Sequence, residues 1–221
     1  MTELQRNLDR IVSWIESNDP RDDIYFEPGI SRSESQRIFK DLPFSIADEI
    51  LELYAWRNGM SHSSYAFLGM DFYSASKMLY MRSQLLEEPT HELDDLCPIF
   101  ALGDYVYVFT LGATFQKDTA PIFFFDLEDK SLVLAYESLT KMISTLTQCC
   151  DRNVFSLTQN KDGAWIEFDK ERFEEIRTIN NPNIPQVSLS SMMIFWIVKI
   201  NDSERYNRWF HKISNLLSGL R

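Results

Sequence analysis

The chain has 221 residues, 44% hydrophobic and 25% charged, the proportions of an ordinary globular domain. Its 33 Asp and Glu outnumber 22 Lys and Arg, giving a formal net charge of −11. Such a surface repels phosphate backbones and anionic lipid, so general nucleic-acid binding is disfavoured and a basic protein partner is attracted. The seven glycines are widely spaced and form neither GxGxxG nor GxxxxGK[ST], which removes the usual dinucleotide and P-loop sites.

Residues 3–17 set Leu4, Leu8, Ile11, Val12 and Ile15 on one helical stripe, stopped by Asn18-Asp19-Pro20. Ser31-Arg32-Ser33-Glu34 reads as a capping box opening a short helix with Ile38 and Phe39. Leu42-Pro43-Phe44 ends that helix, because a residue before proline avoids helical geometry. Ser45 and Asp48 suggest the next cap, followed by Ile46, Ile50, Leu53 and Tyr54 on one face and Gly59 as a left-handed C-terminal stop.

Tyr65 to Phe72 reads as a short strand and Ser74 to Glu88 as a helix, with Met78, Leu79, Leu85 and Leu86 inward. The period then changes. Leu96–Leu102, Asp104–Leu111, Pro121–Leu127 and Ser131–Tyr136 are short runs rich in Tyr, Phe, Val and Ile, as strands prefer. In the second run both alternating sets are apolar, which predicts a central strand, and residues 127–130 form a hairpin connection.

Ser138 caps a helix carrying Leu139, Met142, Ile143 and Leu146, and Asp169 to Ile179 forms another, ended by Asn181-Pro182. Met192 to Ile200 suits a strand or a buried helix start, and Ser203 to Leu217 an amphipathic helix. The gaps between the middle strands are too short for parallel crossovers. The expected fold class is therefore α+β: one domain over residues 1–185 with a mainly antiparallel sheet flanked by helices. A C-terminal strand/helix extension over residues 186–221 is expected to pack on the same domain.

Two stretches resemble a known family. Leu42-Pro43-Phe44, Ile50-Leu51-Glu52-Leu53-Tyr54 and Trp56-Arg57-Asn58-Gly59 are similar to the "LP" to "NG" helix of the SUKH superfamily. That superfamily holds the Smi/Knr-like cell-wall regulators and their bacterial relatives. Pro98-Ile99-Phe100, Gly103-Asp104-Tyr105, Pro121-Ile122-Phe123, Asp126 and Tyr136-Glu137-Ser138-Leu139 resemble its sheet and following helix. The resemblance spans roughly residues 30–150. It implies a non-enzymatic α+β binding fold, with bacterial members acting as immunity proteins that neutralise toxins, often nucleases. Yeast-type members act as regulatory scaffolds, so a scaffold without a toxin partner is the alternative; a shared fold does not choose between them.

The residues themselves offer little chemistry. His62, His91 and His211 lie far apart without HxH or HExxH spacing, so neither a metal nor a cofactor is expected. Cys97 near His91 could pair a thiol with a base, yet a lone cysteine entering a strand is usually a small apolar residue. Cys97, Cys149 and Cys150 form no CxxC motif, which suits a reducing compartment. Ser61-His62-Ser63-Ser64 reads as a polar loop, without a GxSxG elbow.

The acidic run Glu87, Glu88, Glu92, Asp94 and Asp95 has no Lys or Arg among residues 83–95. It reads as a solvated loop between helix and sheet or, more sharply, as a docking surface for a basic protein, extended by Asp126, Glu128 and Asp129 if the hairpin lies nearby. Tyr65, Tyr73 and Tyr80 are further candidates for lining a cleft, and Arg205, Arg208 and Lys212 give the last helix a basic side. The longest apolar run, Met192 to Val198, is far short of the roughly 20 residues that span a bilayer. The first residues lack an apolar signal core, so a soluble cytoplasmic protein is expected.

Overall fold

The computed structural model describes residues 1–18, 25–60, 67–86, 94–102, 106–112, 118–127, 131–160 and 163–184. The expected 186–221 extension, with its elements over Met192–Ile200 and Ser203–Leu217, lies wholly outside these residues.

The apolar stripe at the start of the chain forms α1 (Glu3–Asn18) and buries Leu4, Leu8, Ile11 and Ile15. Two short strands, β1 (Phe26–Pro28) and β2 (Arg57–Met60), pair antiparallel around α2 (Arg32–Ile38) and α3 (Asp48–Trp56). Ser31 caps α2 as expected, its side chain accepting from the Glu34 N–H at 3.2 Å.

Two local expectations are corrected here. Ser45 does not cap α3: the N-cap is Ala47, with no side-chain cap, and Asp48 in the first turn is the carboxylate nearest the helix dipole, where it also pairs with Arg32. Gly59 does not stop that helix either. α3 ends at Trp56 and runs straight into β2, where Gly59 takes φ +88°. Its special role is close approach, since a Cβ there would stand 2.3 Å from the Ser74 backbone nitrogen.

The main sheet comprises β3 (Asp71–Phe72), β4 (Leu96–Leu102), β5 (Val106–Leu111), β6 (Ile122–Asp126) and β7 (Leu132–Tyr136). They lie side by side in that order, each pair antiparallel. β5 is the central strand, and Val106 to Thr110 are all buried, as its two apolar faces predict. Pro98 sits at a bulge in β4, beyond the two residues of that strand that β3 pairs. A missing N–H costs no ladder bond there. α4 (Ala75–Leu86) links β3 to β4 and lies along β4.

α5 (Leu139–Asp151) follows the sheet, with Ser138 accepting from the Lys141 N–H at 3.1 Å. α1 packs against α5; the Thr147 hydroxyl donates to the Asn7 carbonyl at 3.3 Å, and Arg10 pairs with Asp151. A hairpin of β8 (Phe155–Asn160) and β9 (Gly163–Phe168) then leads into α6 (Lys170–Asn180), capped by Asp169. The described elements share one apolar core, and none of their helices is long and apolar enough to cross a membrane.

Strand alternation decides which residues meet the helices. Phe100, Leu102, Val106, Phe124 and Tyr136 share one face of the sheet. With Met142 and Leu146 of α5, Phe155 and Phe168 of the hairpin, and Phe173 of α6, they surround an apolar cavity of about 20 Å³. Phe100 also stacks on Phe67 at 5.7 Å and meets Phe72, which stacks on Tyr54 of α3.

Candidate functional site

The three cysteines are poor nucleophiles. Cys97 is fully buried, and burial pushes its thiol up to about 12, with Arg82 only partly opposing the shift. Burial likewise pushes Cys149 up to about 12 and raises Cys150 further, with the neighbouring Cys149 adding to it. A thiol in such a site carries almost no thiolate near neutrality. His62, His91, His211 and the Ser61–Ser64 loop lie outside the described residues. Among the described residues no group of three or more His, Cys, Asp or Glu side chains is placed to hold a metal ion.

The acidic residues divide. Asp94 and Asp95 are exposed where the chain enters β4. Asp126 is buried at 5% exposure, because it shares the helix-covered face of β6 with Phe124. It does not extend an open acidic surface. Glu87, Glu88, Glu92, Glu128 and Asp129 lie outside the described residues, as do Tyr65, Arg205, Arg208 and Lys212. Of the remaining tyrosines, Tyr80 is 61% exposed on α4, whereas Tyr73 is buried under the Lys77 ammonium, 4.5 Å from its ring centre.

Asp94 and Asp95 lie near a groove that they do not line. The segment between α2 and α3 leaves a groove of about 450 Å³, with Phe39, Leu42, Phe44, Ile46 and Leu51 along its floor and walls. Pro43 prevents α2 from continuing, so Leu42 and Phe44 remain half-buried rather than enclosed in a helix. Phe44 is seated on Gly112 just past β5, where a Cβ would come within 2.1 Å of the ring. The guanidinium of Arg82 stands over that ring at 5.3 Å.

The same Arg82 fixes the acidic pair. Its Nε donates to the Leu96 carbonyl at 3.2 Å and its Nη2 to the Asp94 carbonyl at 2.5 Å. The Gly112 N–H donates to the Asp95 carbonyl at 2.6 Å. Phe44, Arg82 and Gly112 thus join the groove to Asp94 and Asp95, whose backbones are held and whose carboxylates face water. Asp41 is a further exposed carboxylate beside the groove, 4.0 Å from the ammonium of Lys40. A groove of mixed lining, with Gln36, Lys40 and Ser45 beside its apolar residues and carboxylates nearby, can bury an apolar side chain and bind polar groups around it.

A second polar centre escaped the sequence reading. Glu49 is 4% exposed, yet its carboxylate is fully engaged. Oε1 accepts from the N–H groups of Ala120 (3.1 Å) and Leu139 (3.0 Å), and Oε2 from the N–H and hydroxyl of Thr140, both at 2.9 Å. It therefore sits at the N-terminus of α5 and satisfies amides that the helix leaves unpaired. With every acceptor direction filled by the protein, it is a fastener and not a free base. An acidic residue in the first turn of α3 was the only signal, and nothing in the sequence tied it to a helix ninety residues later.

No family model matches the chain, and no curated protein matches it.

Proposed function

We propose that the protein is a non-catalytic binding module whose groove beside Phe44 docks a basic protein. By its resemblance to the SUKH superfamily, we read it as an immunity protein that occludes a basic toxin such as a nuclease. One observation carries the reading: a groove of mixed lining with Phe44 on its wall, joined through Arg82 and Gly112 to the exposed Asp94 and Asp95. The formal charge of −11 acts in the same direction by speeding encounter with a cationic partner. The raised thiols remove one class of nucleophile from consideration.

The test is a pull-down with the tagged full chain from its native extract, at low and high salt. A single basic protein should be retained at low salt and weakened by salt, because exposed charges are screened beyond roughly 8–10 Å at physiological ionic strength. The double charge reversal Asp94→Lys/Asp95→Lys should slow its association, and Phe44→Ala should speed its release. If that partner is a nuclease, its activity should vanish in the complex. Equal capture by parent and both variants would overturn the groove assignment. A set of unrelated partners surviving high salt would replace toxin neutralisation with a scaffold role.

A further inference from the structure

Asn58-Gly59 carries a covalent chemistry that the binding reading does not use. In an Asn-Gly pair the glycine nitrogen can attack the asparagine side-chain carbonyl carbon, because no Cβ on the glycine obstructs the approach. The fold gives this pair a particular setting. Phe26 faces Met60 and Pro28 faces Arg57, so Asn58 and Gly59 together oppose Glu27 alone. They form a bulge at which the ladder between β1 and β2 is interrupted.

The bulge is tied to the first turn of α4. Asn58 Oδ1 accepts from the Ala75 N–H at 3.0 Å. Ser74 Oγ accepts from the Lys77 N–H at 3.2 Å, so the two side chains divide between them amides that the start of the helix leaves unpaired. Gly59 lies against the same turn. Its φ is +88°, and a Cβ there would stand 2.3 Å from the Ser74 nitrogen and 2.7 Å from the Ser74 Cα.

We propose that Asn58 is a deamidation site latched by α4. The contact with Ala75 holds the amide in the native protein, and local opening of that contact releases it to react. Ring closure requires the Asn58 side chain to turn onto its own main chain, which breaks the bond to Ala75. The Gly59 nitrogen gives its proton to solvent and bonds to Asn58 Cγ; the Cγ–Nδ2 bond breaks and ammonia leaves, forming a cyclic imide. Water then opens either imide carbonyl, and no oxidant or reductant is needed.

The two products fare differently in this setting. Opening at one carbonyl leaves aspartate at position 58, which keeps an oxygen for the Ala75 amide and adds a negative charge at the N-terminus of α4. Opening at the other leaves an isoaspartyl link, which routes the main chain through the former side chain and lengthens it by one carbon. That extra carbon enters where Gly59 already touches the Ser74 backbone, so this product cannot restore the native contact. The inference is independent of the groove reading.

The test incubates the full chain at mildly alkaline pH, folded and in urea, and follows the peptide containing Asn58 by mass spectrometry and by isoaspartyl methylation. Deamidation at Asn58 should be about tenfold or more faster in the unfolded chain, since the native reaction waits on local opening. Ala75→Pro removes the donating N–H at the first helical position, where proline is tolerated, and should speed the reaction in the folded protein. Should that variant misfold, hydrogen exchange of the Ala75 amide in the parent replaces it: exchange and native deamidation should rise together as urea is added below the unfolding transition. Asn58→Asp should melt at or above the parent, and the isolated isoaspartyl form below it. Equal rates in folded and unfolded chains, no reaction at Asn58 in urea, a folded Ala75→Pro variant that reacts no faster, exchange and deamidation that vary independently, or an isoaspartyl form as stable as the parent would each overturn the proposal.

Discussion

Thr140 presents both its backbone N–H and its hydroxyl to one oxygen of Glu49, each at 2.9 Å. The other oxygen holds the neighbouring amide of Leu139 and, on the far side of the β6–β7 pair in sequence, that of Ala120. Three parts of the chain far apart in sequence are thereby tied at one carboxylate.

Glu49→Ala should consequently cost more than an ordinary surface change. It strands three amides, and a hydrogen bond to a charged group contributes roughly 1.5–3 kcal/mol. A loss of about 3 kcal/mol and a fall in Tm of roughly 6–12 °C are expected for a chain of this size. Thr140→Val removes only the hydroxyl and should cost about 1 kcal/mol. Urea denaturation of both variants checks the ranking; a loss no larger for Glu49→Ala than for Thr140→Val would refute the fastening role.

Two glycines should answer differently to alanine. At Gly59 the backbone has φ +88° and a Cβ would strike the Ser74 backbone, which cannot move aside. Gly59→Ala is expected to destabilise by about 2–3 kcal/mol. At Gly112 the collision is with the ring of Phe44, which can move. Gly112→Ala should keep most of the stability while displacing Phe44, so that partner release quickens as it does for Phe44→Ala. Thermal melts beside dissociation rates separate the two outcomes.

The three cysteines should be silent in the native protein. With Cys97 and Cys149 raised to about 12 and Cys150 raised as well, a thiol reagent at pH 8 should find almost no reactive group until denaturant is added, when all three react. Rapid native labelling at Cys97 would contradict its burial.

Glu52 gives a pH signature of defined sign. Partial burial, and then the charge of Glu49, raise its carboxyl above the ordinary value, while the N-terminal charge and the Gln5 amide oppose the shift. The folded state therefore binds this proton more tightly than the unfolded state. Stability falls as pH rises from the unfolded carboxyl value through the raised one. Glu52→Gln should be neutral at low pH, where both states are protonated, and stabilising above the raised value. A substitution effect independent of pH, measured by melts across pH 3–7, would contradict the shift; that window follows from an ordinary carboxyl value near about 4.3.

Arg177 and Glu174 form an ion pair of unequal burial. The guanidinium side chain is 2% exposed and bonds Glu174 Oε2 from Nε at 2.9 Å and Nη2 at 2.8 Å, with Nη1 reaching the Ala135 carbonyl at 3.5 Å. Glu174→Gln weakens the partner of a buried cation and should cost about 3 kcal/mol. Glu174→Gln combined with Arg177→Met removes the stranded charge and should recover most of that loss. A double variant no more stable than Glu174→Gln would show that packing of the arginine stem dominates.

The sequence made some parts of this structure legible and hid others for physical reasons. Periodicity located α1, α5, α6 and the strands of the main sheet, and the two apolar sets of residues 106–111 placed β5 at its centre. Caps depending on one side chain, Ser31 and Ser138, were readable because the partner amide lies three residues away. The β8–β9 hairpin escapes the sequence reading although Phe155 to Thr158 and Ala164 to Phe168 alternate, because Gly163 carries no side chain to extend the second run and pairs with Asn160 in the ladder. Gly59 was misread because its requirement comes from Ser74, not from its own helix. The groove was invisible for the same reason: Phe44, Arg82, Asp94 and Gly112 are distant in sequence, and only folding brings them together.

The packing of α1 on α5 also sets an order of events during synthesis. The apolar stripe of Leu4, Leu8 and Ile11 leaves the ribosome well before Thr147 and the rest of its partner helix exist. α3, which packs near α1 and whose Trp56 indole donates to Asp9 at 2.7 Å, is the first neighbour of that helix to emerge. Until residue 151 is made, the nascent chain displays a greasy helix on an unfinished body, a natural client for the chaperones that meet proteins at the tunnel exit.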